Sequence, residues 1–169
     1  MSVPNPEHLL EQADRLITPA GGGAPRQADL RRAISSAYYA LFHAIVAEAA
    51  DVFAGRTQRQ TPRYALVYRS VDHGSLRGLC THVRGGKLPA KYTTYAPSSG
   101  FGADLKAVAT ALVELQEKRH SADYDPLFRA TMSDAALAVV TGRTALNRFK
   151  NANRSARRSF VSLLLFSPR

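Results

Sequence analysis

Four polar side chains recur within the apolar stretch RRAISSAYYALFHAI, which spans residues 31–45. They are Arg32, Ser36, Tyr39 and His43. At about 100° per residue of an α-helix, the four lie within about 60° of one another on a strip roughly 16 Å long. A guanidinium binds carboxylate or phosphate groups, and an imidazole transfers protons near neutral pH. The spacing therefore predicts a polar face beside the apolar stripe of a long helix.

A second candidate group lies in residues 104–123, where apolar residues also recur at helical spacing. Arg119 falls in the middle of that apolar stripe, and Asp123 follows it by four residues, so the two side chains can pair along one helix face. A buried arginine is costly unless it is paired. We expect Arg119 and Asp123 to form a polar cluster between two helices, with Arg32 or Tyr39 as the candidate partner from the other helix.

Three interpretations of these residues remain open at the level of the sequence. In the first, they are structural: the ion pair fixes the register of two helices, and the tyrosine and the histidine are satisfied interface residues. In the second, they line a binding cleft or a dimer surface. In the third, they take part in catalysis. The residue types alone do not decide among the three.

The elements that must position these side chains are predicted to be helices, because apolar residues recur at i, i+3, i+4 and i+7 and no strand-like alternation is convincing. We predict an all-α fold, a four- to five-helix up-and-down bundle. The predicted helices span approximately residues 6–17, 29–53, 61–82 (with an interruption near 72–75), 104–123 and 133–149. A long loop over residues 84–102 is expected before the fourth helix, and loops of this length tend to be functional or mobile.

Particular residues mark where these helices begin and which face they bury. Asp29 and Ser75 are predicted as N-caps, and Thr61 is predicted as an N-cap followed by Pro62 at the first helical position. The predicted apolar stripe of the fifth helix consists of Leu137, Val140, Leu146 and Phe149.

The chain has 169 residues and a net charge of +10, and its last segment carries a large share of that charge. Residues 148–169 contribute six positive charges and no acid. We predict one domain over residues 1–149 and a basic, then apolar, C-terminal tail over residues 150–169. A solvated basic tail is the simplest interpretation. The apolar end, SFVSLLLFSPR, leaves open docking on the domain, self-association or an unnatural end of the reading frame.

The composition disfavours several classes of protein. Cys80 is the only cysteine, so we expect neither an internal disulfide nor a cysteine-based zinc site. No run of about 18 apolar residues predicts a membrane-spanning helix, and the N-terminus lacks the basic-then-apolar order of a secretory signal. We therefore expect no membrane partner, no metal and no cofactor, and a cytoplasmic location as the default.

Two separated motifs carry a resemblance to a known family. The segments LRRAISSAYYALFHAI and LQEKRHSADYDP, with VYRSVDHGSLRGLC between them, resemble the HEPN family of small helical domains over about residues 7–149. The resemblance implies a bundle of four to five helices that is frequently dimeric. Many members are metal-independent ribonucleases, often toxins neutralised by a nucleotidyltransferase-like antitoxin. Their active motif is an arginine followed, after four to six residues, by a histidine, and two subunits bring their motifs together over the RNA.

This chain departs from the family's motif at the histidine. Arg119 matches the motif arginine, but Tyr124, Asp125 and Pro126 stand at the three positions where histidine is expected. His120 is adjacent to Arg119 and points about 100° away on a helix. Tyrosine has a pKa of about 10 and is a poor base at neutral pH. Tyr124 therefore takes the histidine's place without its acid–base chemistry.

Three functions follow as competing hypotheses. The first is a non-catalytic HEPN-like module that forms a homodimer and binds a nucleotide, RNA or a partner protein such as a nucleotidyltransferase-like antitoxin. The second is a metal-independent ribonuclease toxin with an altered site, using Arg119 with Tyr124 or with His43. The third is plain RNA binding by the basic tail and by the loop KLPAKYTTY at residues 87–95, which interleaves two lysines with two tyrosines.

Overall fold

The chain folds as an assembly of α-helices in the computed structural model, which describes residues 3–168 and shows no strand within them. Met1, Ser2 and Arg169 lie outside the described residues, so the first two residues of the predicted domain and the last cation of the predicted tail do too. The helices are α1 (Pro6–Ile17), α2 (Gln27–Ala54), α3 (Pro62–Arg69), α4 (His73–Gly85), α5 (Ala90–Thr93), α6 (Gly102–Tyr124), α7 (Met132–Asn151) and α8 (Arg154–Leu165). The all-α prediction is confirmed there, with eight α-helices rather than five.

The helix α2 lies at the centre and packs mainly against α1, α6 and α7. Paired residues give the helix directions: Glu7 with Lys150 and Asp14 with Arg143 between α1 and α7, and Arg31 with Ala122 and Tyr39 with Arg119 between α2 and α6. In each of these two pairs of helices, residues near the start of one helix meet residues near the end of the other. Both pairs are therefore antiparallel, as in an up-and-down helical bundle.

The core face of α7 is built largely from small residues. They are Ala135, Ala138, Gly142 and Ala145. A Cβ atom at Gly142 would lie 3.0 Å from a backbone oxygen of α2, so the two helices approach closely. The predicted apolar stripe is correct for Leu146 and Phe149, which are buried, and wrong for Leu137 and Val140, which are 54% and 59% exposed. Two helices can pack this closely only where the side chains between them are small. The face of α7 with the small residues is therefore the one that packs against α2.

Two of the three predicted N-caps are wrong. The helix α2 begins two residues before Asp29, which instead pairs with Arg26 at 2.8 Å in the first turn. The helix α4 is capped by Asp72, whose carboxylate accepts a hydrogen bond from the backbone N–H of Ser75 at 2.8 Å. Thr61 caps α3 as predicted. Before α4 two capping residues stand close together, and composition does not select between them. The helix α2 begins after Arg26 without a side-chain cap, so no capping residue marks its start.

Residues 154–165 form a helix packed on the domain instead of a solvated tail. Phe160 and Val161 are fully buried. The guanidinium of Arg157 donates to Glu48 at 2.7 Å and to two carbonyl oxygens at the end of α7, at 2.8 and 3.2 Å. Of the three options left open for the apolar end, docking on the domain is the one that the structure shows.

The predicted loop over residues 84–102 is partly ordered as helix. The helix α4 continues to Gly85 and is closed by Gly86, whose φ of +68° is the left-handed conformation common at helix ends. The short helix α5 then occupies the middle of the segment. Apolar side chains of this segment pack against the core, among them Leu88, Tyr92 and Ala96.

The central helix α2 is also long and apolar enough to cross a bilayer on the criterion of length and composition. Its most apolar window has a mean hydropathy of 1.2, contrary to the expectation of no such segment, but 56% of that window is buried inside the bundle. The core helix of a bundle gives the same signal, so this is a weak indication of membrane insertion. The absence of a membrane partner and the cytoplasmic location remain predictions.

Candidate functional site

The four polar residues of α2 lie along one groove between α1 and α2. The lining residues are Arg32, Ser36, Tyr39 and His43 from α2, with Leu9 and Gln12 from α1. The groove has a volume of about 330 Å³, which is in the size range of small-molecule sites. The second face of α2 is therefore a surface cleft, and α1 supplies one apolar and one amide side chain to its other wall.

Several polar groups in this groove have no partner among the described residues, and two of them belong to the α2 side chains Arg32 and Ser36. Arg32 is exposed and makes no ion pair or hydrogen bond with any residue from 3 to 168. Ser36 is 3% exposed, and its hydroxyl has no hydrogen-bond partner in that range but is not sealed from the groove. Buried hydroxyls are usually hydrogen-bonded, because leaving one unpaired costs stability. An unpaired cation and an unsatisfied donor together fit an anionic group with several oxygen acceptors.

Arg119 of α6 is connected to the groove through Tyr39. Its side chain is 11% exposed, and Nη2 donates to the hydroxyl of Tyr39 at 2.6 Å and to that of Tyr124 at 3.3 Å. The guanidinium carbon lies 5.8, 5.3 and 5.2 Å from the ring centres of Tyr38, Tyr39 and Tyr124, which is cation–π distance. Nη1 has no hydrogen-bond partner among the described residues and is not enclosed, so it is the end available to a ligand.

Asp123 is the charged partner of Arg119. Its Oδ2 lies 2.8 Å from Arg119 Nε, but this N–H does not point at the carboxylate and has no hydrogen-bond partner. The contact is therefore an ion pair and not a hydrogen bond, at the i, i+4 spacing that the sequence indicated. Asp123 Oδ1 accepts a hydrogen bond from the hydroxyl of Ser35. Ser35 was not among the predicted site residues; its neighbour Ser36, about 100° away on the helix, lies on the predicted polar face and lines the groove instead.

Tyr124 covers Arg119 at the protein surface. It is the last residue of α6, is 62% exposed, and has its ring centre 5.2 Å from that of the neighbouring His120. The hydroxyl of Tyr124 accepts from Arg119. The residue in the histidine's place therefore acts as a hydrogen-bond acceptor and an aromatic cover for the guanidinium.

Two imidazoles stand beside the same group of tyrosines. His43 Nδ1 lies 2.7 Å from the hydroxyl of Tyr68, and its ring centre is 5.9 Å from that of Tyr39. His73, near the start of α4, has Nδ1 2.7 Å from the hydroxyl of Tyr38 and its ring centre 6.0 Å from that of Tyr39. In both rings Nε2 has no hydrogen-bond partner among residues 3–168. Each ring is thus held by a hydrogen bond at Nδ1, and its Nε2 is available to a ligand.

Burial lowers the pKa of both imidazoles below their usual value. For His43 the second cause is the charge of His73, and for His73 it is the charge of Arg119, opposed by Asp72. Both rings are therefore neutral at pH 7, since the unperturbed pKa is about 6.5. Burial raises the pKa of Tyr68 to about 12, so this phenol stays protonated. Neutral imidazoles beside a fixed guanidinium are competent proton acceptors.

Two residues at the start of α2 hold the end of α6 and the loop that follows it. Arg31 donates to the carbonyl oxygens of Ala122 and Asp125, each at 2.6 Å. Gln27 bonds to both backbone groups of Ala130, at 2.7 and 3.0 Å. These contacts fix the position of Tyr124 over Arg119. Arg31 and Gln27 could not be predicted as site residues from the sequence, because a side chain that bonds to a distant backbone group gives no pattern of spacing along the chain.

His73 and Tyr68 are the other site residues that sequence reasoning missed. They come from α4 and α3, and no local spacing relates them to α2 or α6. The signal nearest to His73 was its position after Asp72 in the turn DHGS, which marks a helix start and not a site. Only the packing of α4 against α6 brings His73 next to this cluster.

A larger cavity of about 510 Å³ lies near the other end of α2. Its charged walls are ion pairs between Glu7 and Lys150, Glu48 and Arg157, and Asp51 and Arg59. Each acid there already has a cation partner, although Glu7 Oε2 is buried without a hydrogen-bond partner, whereas the smaller groove holds a cation with no ion-pair partner among the described residues. We therefore place the candidate site at the groove between α1 and α2 and at the adjoining Arg119 cluster.

No group of three or more histidine, cysteine, aspartate or glutamate side chains within residues 3–168 is arranged to hold a metal ion. The polar groups of the candidate site are guanidinium, hydroxyl, carboxylate and imidazole. What such a set can do is bind anions and move protons.

No family model matches the chain, and neither a curated protein nor a solved structure matches it. The HEPN resemblance therefore rests on the residues of its two motifs alone.

Proposed function

We propose that the protein is a HEPN-like module that binds a nucleotide or RNA in the groove between α1 and α2. The observation that carries the proposal is the pair of unpartnered groups there, the exposed guanidinium of Arg32 and the buried hydroxyl of Ser36. Phosphate oxygens accept hydrogen bonds from both kinds of group. The rings of Tyr39 and His43 continue the same groove and offer flat surfaces for a base.

Arg119 gives the site a second cation. A ligand that lies against Tyr39 is one side chain away from this guanidinium, because the Tyr39 hydroxyl accepts from Arg119 at 2.6 Å. The unpartnered Nη1 is then available for another phosphate of the same molecule. Two cations along one face fit a ligand with more than one phosphate, as RNA has.

The proposal includes a homodimer and a toxin–antitoxin type system with a nucleotidyltransferase-like partner, both taken from the family resemblance, and a cytoplasmic location as the default. Exposed side chains at the end of α6 give some support for a partner surface beside Arg119. Tyr124 is 62% exposed and Leu127 is 85% exposed. Large exposed apolar groups close to a site are typical of surfaces that meet a partner.

The alternative function is a metal-independent ribonuclease. It is favoured by one observation, that His43 and His73 both stand beside Tyr39, whose hydroxyl is bonded to Arg119. In such a reaction a guanidinium steadies the phosphate while a neutral imidazole accepts the proton of the attacking 2′-hydroxyl. Either histidine would then supply the acid–base group that Tyr124 does not.

We expect Arg32→Ala to weaken binding of a short single-stranded RNA about tenfold, because it removes a charge-assisted contact with phosphate. Arg32 is exposed, so the fold should be unchanged. Fluorescence anisotropy with a labelled oligoribonucleotide measures the Kd. Arg129→Ala is the matched control, because Arg129 is also exposed and without a partner among the described residues. Equal weakening in the two variants would assign binding to net charge and contradict the groove.

The same RNA incubated in EDTA and run on a denaturing gel tests the alternative. For a ribonuclease, we expect cleavage by the wild type to be lost in His43→Gln or in His73→Gln and kept in His120→Gln, which alters an exposed histidine of the same region. Circular dichroism checks that each variant is folded. No cleavage by the wild type would leave binding as the function, and cleavage that survives in both His43→Gln and His73→Gln would remove the imidazoles from the mechanism.

A further inference from the structure

Four aromatic rings form a row on a surface that the candidate site does not include. The aromatic row consists of Phe53, Phe166, Tyr95 and Tyr92. The ring centres of Phe53 and Phe166 are 5.4 Å apart, and Phe166 and Tyr95 line one cavity of about 380 Å³. Tyr92 joins the row through its hydroxyl, 3.2 Å from that of Ser167. The end of α2, the segment around α5 and the end of α8 thus meet at one place.

The row is exposed. Tyr95 is 60% exposed, Phe166 is 58% exposed and Phe53 is 45% exposed. The cavity between them is lined mainly by apolar atoms, with Leu163 at its base. Contiguous apolar surface of this kind is typical of a binding surface and not of a solvated face.

Cations flank the row, and acids are missing from the segments that form it except at the end of α2, where Asp51 is already in an ion pair. Lys91 Nζ lies 5.3 Å from the ring centre of Tyr92, and the Arg63 guanidinium carbon lies 5.9 Å from that of Phe53. The row and its cations come from residues 52–71, 73–103 and 135–168. These three segments contain no aspartate or glutamate. Neither Lys91 nor Arg63 has an ion-pair partner among the described residues. The partner that fits is therefore anionic and carries flat apolar groups.

We infer that the aromatic row binds single-stranded nucleic acid, with bases stacked on the exposed rings and phosphates near Lys91 and Arg63. Stacking on aromatic side chains needs unpaired bases, which a duplex does not offer. A second copy of this chain is a poorer occupant, because it would bring the same cations against one another. The row is separate from the groove between α1 and α2, so this inference stands even if the groove binds nothing.

The test compares binding of a labelled single-stranded oligonucleotide with binding of the same sequence as a duplex. We expect Tyr95→Ala and Phe166→Ala each to raise the Kd for the single strand about tenfold and to leave the Kd for the duplex unchanged. Lys91→Ala should reduce the slope of log K against log salt by about one. Leu137→Ala is the matched control, since this side chain is 54% exposed on α7 and lies outside the row.

Equal affinity of wild type, Tyr95→Ala and Phe166→Ala for the single strand would overturn the inference, as would undetectable binding by the wild type. Loss of a dimer in Phe166→Ala on sedimentation, with unchanged affinity, would assign the row to a second copy and overturn it too. The row variants are also measured in an Arg32→Ala background. A tenfold effect that persists there supports a surface independent of the groove, whatever happens to the proposed function.

Discussion

Phe160→Ala is expected to lower the free energy of unfolding by about 3–5 kcal/mol, which makes it the largest stability effect that we predict. Phe160 is fully buried, and its ring meets that of Phe101 edge to face at 6.1 Å. Truncation to alanine removes the apolar contacts of this buried ring and leaves a cavity beneath α8. Urea unfolding followed by circular dichroism measures the change.

Phe166→Ala is the matched control for this substitution. It alters the same residue type just after the same helix, but the ring is 58% exposed, so we expect a loss of about 1 kcal/mol or less. If both variants lost the same small amount, α8 would not belong to the cooperative unit. A large loss in Phe160→Ala alone would show that α8 belongs to the cooperative unit of the domain.

Arg119→Ala is expected to lower the free energy of unfolding by about 2–3 kcal/mol, the second largest effect, because it leaves a partly buried carboxylate without its cation. The side chains of Arg119 and Asp123 are 11% and 27% exposed. The hydroxyl of Tyr39 also loses its donor. The value is below the range for fully buried pairs, since Asp123 keeps some contact with water. The same urea experiment measures it.

Arg15→Ala provides the comparison for Arg119→Ala. Arg15 pairs with Glu11 at the same i, i+4 separation, at 3.8 Å, but the two side chains are 82% and 55% exposed. We expect a change within about 0.5 kcal/mol, as for other exposed pairs. Similar losses in the two variants would contradict a buried polar cluster around Arg119.

A double variant separates the structural contribution of Arg119 from its functional one. Replacing both partners, as in Arg119→Met with Asp123→Leu, removes the unpaired charge that makes the single substitution costly. We expect this protein to be more stable than Arg119→Ala. RNA binding and cleavage measured in the double variant then report on the charged pair and not on partial unfolding.

The helices could be predicted from the sequence where a local signal was complete. Thr61 followed by Pro62 is such a signal, and α3 begins there. The face of α7 could not be predicted in the same way, because Leu137 and Val140 are the more apolar residues but lie at the surface. Their exposure follows from the close approach at Gly142, which depends on the partner helix.

The same distinction applies to the residues of the candidate site. The shared face of Arg32 and His43 follows from helical periodicity alone, and so does the pairing of Arg119 with Asp123. His73 enters the site from another helix, and its contribution depends on tertiary packing that no spacing along the chain encodes. Residues within one helix could thus be predicted, whereas those contributed across helices could not.

The protein contains seven tyrosines and no tryptophan, and this has a spectroscopic consequence. In most proteins tyrosine fluorescence is weakened by energy transfer to tryptophan, but this protein has no tryptophan to accept that energy. Four of the phenols surround the site, and each is hydrogen-bonded to an imidazole or a guanidinium: Tyr38, Tyr39, Tyr68 and Tyr124. A ligand that displaces one of these partners changes the quenching of that phenol. The unlabelled protein therefore carries an optical reporter of events at its own candidate site.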